Sequence, residues 1–273
     1  MTVTVVLDRP WQAVKSNPKE IEYPESDGKP VGETDFHISV IFYLRAALRY
    51  FFRQVSDVYT AANMLFYYEE GDTSKFKVPD VFVVRGVTKH DRRTYKLWEE
   101  NAAPVVAFEI TSRSTKWEDI GDKKGFYEAL GVKEYYLFDP VGEYLKPRFQ
   151  GYRLEKGGYR PMTRNKDGSI ISEEMGVILK PDGPMLRLID PTTNEVVPSM
   201  EEAVENAYAA RLQVELEAER ARVEAQRAQA EAERAQAAVE RAQAAVERAD
   251  TAEAEVARLR AENERLKRQA GLP

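Results

Sequence analysis

The feature that most constrains the fold is the C-terminal part of the chain, which has neither glycine nor proline in residues 199–270. Alanine, glutamate and arginine dominate this stretch, and all three favour the helix. The heptad ERAQAAV occurs twice in succession in residues 233–246. We therefore expect one long helix after Pro198, with the compact fold confined to the residues before it.

Small and apolar residues in this helix recur at alternating spacings of three and four. The series runs Val239, Ala242, Val246, Ala249, Ala252, Val256, Leu259, Asn263 and Leu266, with one shift of register near Ala249. Such a series is typical of a coiled coil, and the shift is typical of a stammer. Asn263 takes an a-type position, where a buried asparagine fixes register and oligomeric state. Because alanine buries little surface, a single solvated helix stays open as the alternative.

Composition excludes several kinds of site. The chain has 273 residues and no cysteine, so disulfide frameworks, thiolate zinc sites and cysteine nucleophiles are ruled out. Its two histidines, His37 and His90, leave little room for a Ser-His-Asp triad or a histidine-rich metal site. Any bound metal is therefore expected to be a hard cation with oxygen ligands, such as Mg²⁺.

Charge and hydropathy narrow the expected location and partners. No run approaches the ~20 apolar residues of a membrane helix, and the first residues lack the pattern of a signal peptide, so we expect a cytoplasmic protein without membrane contact. The net charge of −6 argues against a general nucleic-acid coat, because phosphate binding needs a basic surface. A local basic groove is compatible with this composition.

We divide the chain into an N-terminal extension (residues 1–30), a mixed α/β domain (31–199) and the C-terminal helix (200–273). The predicted elements of the middle part are a helix that begins at Thr34 or Asp35, strands at 62–69, 78–84 and 104–111, a helix at 119–130 closed by Gly131, a strand at 134–138, and short strands at 150–154, 158–160 and 185–189. The core order is therefore helix, three strands, helix, strand. The first helix has an apolar stripe of His37, Ile41, Leu44, Leu48, Phe51 and Val55.

Several charged residues stand where the pattern of their element calls for apolar ones. Asp80 shares a strand face with Phe82, and Glu109 shares one with Ala107. On the second helix, Lys123 lies on the inward face while its neighbours point outward. A buried unpaired carboxylate costs several kcal/mol, so each acid needs a cation or hydrogen-bond donors.

Each of these residues also has an ordinary structural interpretation, such as an ion pair or a lysine whose ammonium reaches solvent. His37, at the head of the first helix, is more often a core histidine than a ligand. The combination of Asp80, Glu109 and Lys123 nevertheless predicts a metal-and-lysine centre. Two carboxylates can bind Mg²⁺, which activates water, while the lysine positions that water or offsets charge on the phosphate.

Longer motifs carry a resemblance to a known family. The motifs are VPD (78–80), FEITSRST (108–115), the four-residue ladder Asp119, Lys123, Tyr127 and Gly131, and GVKEYYLFDP (131–140). Together they resemble the Uma family of restriction endonucleases, within the PD-(D/E)XK nuclease superfamily. The resemblance covers residues 32–154, and the helical C-terminus also resembles an appendage frequent in that family.

The resemblance implies a fold and a set of site residues. The fold is an α/β restriction-endonuclease-like core, a mixed sheet flanked by helices. Asp80, Glu109 and the main-chain carbonyl of Ile110 are implied as ligands of Mg²⁺ or Mn²⁺. The common superfamily motif has lysine at the position of Thr111, and Lys123 on the following helix matches the family's replacement for it.

Further residues are implied as accessory. Glu33 resembles the extra acid of many such nucleases, and His37 is an equally plausible neighbour of the metal. Asp119 and Tyr127 belong to the same set, although Tyr127 is compatible with simple packing. Arg113 stands where many family members have proline, and it is either a phosphate contact or an ordinary loop arginine.

The sequence thus predicts a metal-dependent endonuclease acting on nucleic acid, with DNA favoured and Asp80, Glu109 and Lys123 as catalytic residues. The C-terminal helix is expected to form a homodimer or to bind another coiled-coil partner. Two alternatives stay open. One is a non-cleaving nucleic-acid-binding module with the nuclease fold, and the other is a coiled-coil scaffold with a globular head.

Overall fold

The structure, a computed structural model, describes residues 21–28 and 34–269. Its elements in chain order are α1 (Asp35–Phe51), β1 (Val58–Ala62), β2 (Phe66–Tyr67), β3 (Phe76–Lys77), β4 (Val81–Arg85), β5 (Tyr95–Lys96), α2 (Leu97–Glu100), β6 (Pro104–Ile110), α3 (Lys116–Glu118), a π-helical turn (Asp119–Lys123), α4 (Lys124–Leu130), β7 (Glu134–Phe138), β8 (Phe149–Glu155), β9 (Gly158–Pro161), β10 (Ile170–Ser172), β11 (Val177–Asp182), β12 (Met185–Asp190), β13 (Glu195–Val196) and α5 (Met200–Gln269). The predicted extension, residues 1–30, falls largely outside the described residues.

A mixed six-stranded sheet with the order β1-β4-β6-β7-β8-β9 organises the middle of the chain. Its one parallel pair is β6 and β7, which the helical segment from α3 to α4 connects. Because β6 and β7 run in the same direction, their carboxyl ends lie together at one edge of the sheet. The predicted α/β class and the order helix, three strands, helix, strand are confirmed.

Helix α1 covers one face of this sheet. The hydroxyl of Thr34 accepts a hydrogen bond from the backbone N–H of His37 and so caps the helix. The predicted stripe is buried as far as Leu48, whereas Val55 lies beyond the helix and is 38% exposed. The smaller sheet β10-β11-β12-β13 contributes to the same core, and the hydroxyl of Tyr43 donates to the carbonyl of Val197.

The strand predicted at 62–69 is wrong in its bounds. The chain forms β1 up to Ala62, turns at Asn63, and continues as β2 in a separate sheet with the order β3-β2-β5. Asn63 has φ of 46°, a left-handed conformation that ends a strand and that asparagine tolerates better than most residues. The strand that pairs with β4 on the side away from β6 is therefore β1, most of which precedes the predicted segment.

The other face of the six-stranded sheet packs against the segment from Lys116 to Leu130. This segment starts three residues before the predicted helix and contains the π-helical turn, an extra residue wound into the helix. It ends at Gly131, whose φ of 85° is the left-handed C-cap that the sequence predicts.

Helix α5 begins with a capping box. Ser199 and Glu202 exchange hydrogen bonds, in which the Ser199 N–H donates to the Glu202 carboxylate and the Glu202 N–H donates to the Ser199 hydroxyl. Residues 204–273 form a unit of their own. The seam residues Val246, Leu259 and Leu266 are each at least 52% exposed. None of the helices in the described ranges combines the length and the apolar character that crossing a membrane requires.

Candidate active site

Asp80 and Glu109 come together at the edge of the sheet where β6 ends. The last registered pair of β4 and β6 is Val81 with Phe108, so the next step along both strands sets Asp80 opposite Glu109. The Asp80 Oδ2 accepts a hydrogen bond of 2.6 Å from the backbone N–H of Ile110. This bond fastens the carboxylate of Asp80 to the end of β6, beside Glu109.

Glu109 is fully buried and both of its oxygens have partners. Lys123 Nζ lies 2.6 Å from Oε2, and the hydroxyl of Tyr127 donates to Oε1 at 2.8 Å. Tyr127 therefore combines the packing role and the polar role that the sequence left open. Burial raises the pKa of the Tyr127 hydroxyl well above its usual value, and the charge of Glu109 adds to this, so the hydroxyl keeps its proton and acts as a donor.

Lys123 points inward, as its position on the helix predicts. Its ammonium lies between Glu109 and Asp119, with 3.2 Å from Nζ to the Asp119 Oδ1. Burial by itself lowers the pKa of Lys123, but the charges of Glu109, Asp80 and Asp119 outweigh burial and raise it above its ordinary value. Lys123 is therefore a fixed cation at neutral pH and not a general base.

The π-helical turn positions the two charged groups of this helix. It spans Asp119 to Lys123 and contains both residues of the ion pair. Burial raises the pKa of Asp119, and Lys123 opposes that shift. The hydroxyl of Tyr135 on β7 donates to the backbone carbonyl of Asp119 at 2.8 Å. Tyr135 thus supports the turn from the sheet, a role that sequence reasoning missed because the residue reads as an ordinary buried strand tyrosine.

His37 lies at the same edge of the sheet. Its Nε2 is 3.4 Å from the Asp80 Oδ2, and its side chain is 5% exposed. The structure therefore brings His37 next to the carboxylate pair, as the sequence allowed. Glu33, the accessory acid that the resemblance implies, lies outside the described residues.

The position that holds lysine in the common superfamily motif is Thr111, and the structure places it directly after β6. Thr111 is buried, and its backbone N–H donates to the carbonyl of Phe138 on the parallel strand β7. The positive charge near Glu109 comes instead from Lys123 on the helix. This arrangement agrees with the replacement that the family resemblance implies.

The residues suit a hard metal ion only in part. In the ranges that the structure describes, no group of three or more His, Asp and Glu side chains is arranged to hold a metal. Asp80 and Glu109 supply carboxylate oxygens, and a carboxylate has about four lone-pair sites, so oxygens that accept one hydrogen bond can also bind a cation. The donor set therefore fits Mg²⁺ or Mn²⁺ when a backbone carbonyl and water complete it. The Ile110 carbonyl as third protein ligand stays a prediction.

Comparison with known proteins gives a family. The family model described as "Uma2: Putative restriction endonuclease" matches residues 10–179. No curated protein matches the chain. A solved structure, described as a putative nuclease belonging to DUF820 from Anabaena variabilis ATCC 29413, is similar at 14% identity and a TM-score of 0.39, over 55% of this chain and 81% of that one. Because the family model spans more than half of the chain, the protein belongs to the Uma2 family.

Proposed function

We propose that the protein is a metal-dependent endonuclease that hydrolyses phosphodiester bonds, with DNA as the favoured substrate. The observation that carries this proposal is the buried ammonium of Lys123 held against Glu109, next to Asp80 at the open end of β6. If Lys123 served only stability, its ion pairs with Glu109 and Asp119 would not need the further carboxylate of Asp80 beside them. Membership of a family described as restriction endonucleases supports the nuclease class.

Asp80, Glu109 and the carbonyl of Ile110 are the residues that would hold Mg²⁺ or Mn²⁺. The metal would supply Lewis acidity toward a phosphoryl oxygen and lower the pKa of a bound water. Asp80 is the more accessible carboxylate, with 14% of its side chain exposed against 0% for Glu109. Solvent and substrate can therefore contact the carboxylate of Asp80 more easily than that of Glu109.

Lys123 and Tyr127 act through charge and hydrogen bonding. Lys123 remains protonated, so it offsets the negative charge that develops on the phosphate and does not remove a proton from water. Tyr127 donates to Glu109 and thereby fixes the orientation of its carboxylate. The His37 imidazole, close to Asp80, limits the rotation of that side chain.

A second candidate is a nucleic-acid-binding module that does not cleave. The observation in its favour is that Lys123 and Tyr127 already occupy both oxygens of Glu109. A metal ion bound at Glu109 would lie close to the ammonium of Lys123, whose positive charge opposes it. The two candidates differ in a simple way, because only the endonuclease requires a divalent cation and an intact Asp80 for a chemical change in the substrate.

A cleavage assay with Mg²⁺, Mn²⁺ or EDTA tests the proposed activity. With purified full-length protein we expect cleavage of DNA in either metal and none in EDTA. Asp80→Asn should lower the rate by at least about 100-fold, because it removes a charged ligand while preserving the shape of the side chain. RNA substrates run in parallel measure the preference for DNA.

Asp122→Asn is the control for this assay, because it makes the same chemical change at an exposed acid, on the helical segment that carries Lys123. Its rate should equal that of the wild type. Cleavage that persists in Asp80→Asn or in EDTA would overturn the proposed site. Metal-dependent binding without any cleavage of DNA or RNA would support the non-cleaving module instead.

We propose further that α5 pairs with α5 of a second copy of this chain. The support is the heptad series, whose residues Val239, Val246, Val256, Leu259 and Leu266 are 47–60% exposed in the single chain. Glutamate and arginine alternate along the same helix, so one copy offers both signs of charge to another.

Sedimentation equilibrium tests the dimer. The wild-type chain of 31.2 kDa should sediment at twice that mass, and the double variant Leu259→Glu with Leu266→Glu should weaken the dimer by at least about tenfold. Ala261→Glu is the control, since position 261 lies opposite the seam. A wild-type monomer at micromolar concentration, or a double variant that dimerises like the wild type, contradicts self-pairing through this seam.

A further inference from the structure

A cleft of about 470 Å³ opens next to the carboxylate pair. One wall is residues 111–114, the loop that follows β6, and the other is the loop after β7, with Pro140, Val141 and Tyr144. His37, which lies 3.4 Å from Asp80, also lines the cleft. The cleft and the candidate active site are therefore neighbours that share a side chain.

The two walls differ in chemistry. The first carries the guanidinium of Arg113 and the hydroxyls of Ser112 and Ser114, while the second presents the apolar surface of Val141 and the ring of Tyr144. Among the described residues no carboxylate lines the cleft. A cation with several hydroxyls on one side and an aromatic ring on the other matches a nucleotide, which joins a phosphate to a flat apolar base.

Thr111 is an independent indication of a ligand. It is 1% exposed, and its hydroxyl has no hydrogen-bond partner within the part of the chain that the structure describes. A buried hydroxyl without a partner destabilises the fold, so its presence calls for an explanation. Because Thr111 lines the cleft two residues after Glu109, a ligand in the cleft can supply the missing hydrogen bond.

We propose that this cleft binds the nucleotide of the substrate strand that is next to the scissile phosphodiester. Its phosphate lies between Arg113 and the hydroxyls of Thr111 and Ser112, and its base packs against Tyr144. This assignment rests on the proposed nuclease function and extends it to a substrate with an unpaired nucleotide at the cleavage position. Arg113 thereby receives the phosphate contact that the sequence left as one of two interpretations.

The proposal predicts opposite effects of one substitution on stability and on binding. Thr111→Val removes the unpartnered hydroxyl and keeps the branched shape, so the melting temperature should stay the same or rise by about 2–4 °C. The same change should weaken DNA binding roughly tenfold, because a hydrogen bond to a charged oxygen is lost. A threonine with a purely structural role would give no loss of binding.

Fluorescence anisotropy of the full-length protein in EDTA measures this binding without cleavage. The probes are a labelled single-stranded DNA oligonucleotide and its duplex. Arg113→Ala should weaken binding of the single strand roughly tenfold and lower the slope of log affinity against log salt by about 0.7. The duplex should bind more weakly than the single strand, because its paired bases cannot enter the cleft.

Arg160→Ala is the control variant, because Arg160 is an exposed arginine on β9, away from the cleft. Arg160 pairs with Arg153 on β8, and Arg153 pairs with Glu134, at the end of β7 that lies away from the cleft. It should bind like the wild type. The proposal is overturned if Thr111→Val and Arg113→Ala both bind like the wild type, or if the wild type binds neither probe. A failure of the endonuclease proposal alone would give a different result. DNA binding would still depend on Thr111 and Arg113, but neither Mg²⁺ nor Mn²⁺ would give cleavage.

Discussion

Replacing Lys123 by methionine should lower the rate of phosphodiester cleavage by about 100-fold or more. The ammonium lies 2.6 Å from Glu109 and 3.2 Å from Asp119, so it is a positive charge fixed where negative charge develops on the phosphate. Methionine matches the unbranched apolar stem of the lysine side chain but lacks the terminal ammonium and its charge. The measurement is the single-turnover rate with Mg²⁺ at saturating protein.

The matched control is Lys124→Met, one residue further along the same helix. The Lys124 ammonium lies 3.6 Å from the centre of the Tyr152 ring, away from Glu109. If charge on this helix mattered only for attracting nucleic acid, the two variants would lose similar activity. We expect Lys124→Met to retain nearly the full rate, so that the ratio of the two variants isolates the position of the charge.

Loss of Lys123 also leaves buried carboxylates without a cation. An uncompensated buried charge costs roughly 3–5 kcal/mol, so part of the lost activity of Lys123→Met could reflect unfolding. Lys123→Arg separates the two effects, because arginine keeps the positive charge while its planar group cannot occupy the same narrow space between Glu109 and Asp119. We expect a folded protein with a rate at least about tenfold below that of the wild type. A wild-type rate in Lys123→Met would remove Lys123 from the site.

Periodicity was sufficient to predict much of the candidate site. Alternation along β6 places Glu109 on the face opposite Phe108, toward the helix that follows, and the helical spacing directs Lys123 back toward that face. The two predictions meet in an ion pair of 2.6 Å. At the end of β7, the carboxylate of Asp139 accepts hydrogen bonds from four backbone N–H groups of the following loop and so shapes a turn.

Other parts of the fold depend on information that periodicity does not carry. The break after Ala62 results from the left-handed backbone of Asn63, and the surrounding residues 62–69 are apolar enough to resemble one strand. The π-helical turn of Asp119–Lys123 adds one residue to a helix and leaves no mark on composition. Contacts between distant segments, such as that of His37 with Asp80, need the tertiary structure itself.

Glu134 is the clearest case of a residue whose role the strand pattern conceals. It begins β7 and is fully buried, although a charged residue at the start of a strand usually reaches solvent. Its carboxylate accepts hydrogen bonds from the hydroxyls of Tyr136 and Ser172, from the Arg153 guanidinium and from the backbone N–H of Glu173. These donors join the six-stranded sheet to β10 and to the turn after it.

Glu134→Ala should therefore lower the free energy of unfolding by about 3–5 kcal/mol. The substitution leaves the hydroxyls of Tyr136 and Ser172 and the Arg153 guanidinium without their shared acceptor, and it opens a cavity at the junction of the two sheets. Urea denaturation followed by circular dichroism measures the change. The partners lie within one network, so a second substitution at Ser172 should add much less than it costs alone.

Glu155→Ala is the control for this measurement, since Glu155 ends β8 of the same sheet and is exposed. Its effect should stay within about 0.5 kcal/mol. A loss below about 1 kcal/mol in Glu134→Ala would show that the network contributes little to stability.

Glu134 pairs in register with Val106 on β6, whereas Glu109 and Ile110 pair with the last two residues of β7. The junction of the sheets and the candidate active site thus lie at opposite ends of β7, and the folded fraction of Glu134→Ala should retain the wild-type cleavage rate.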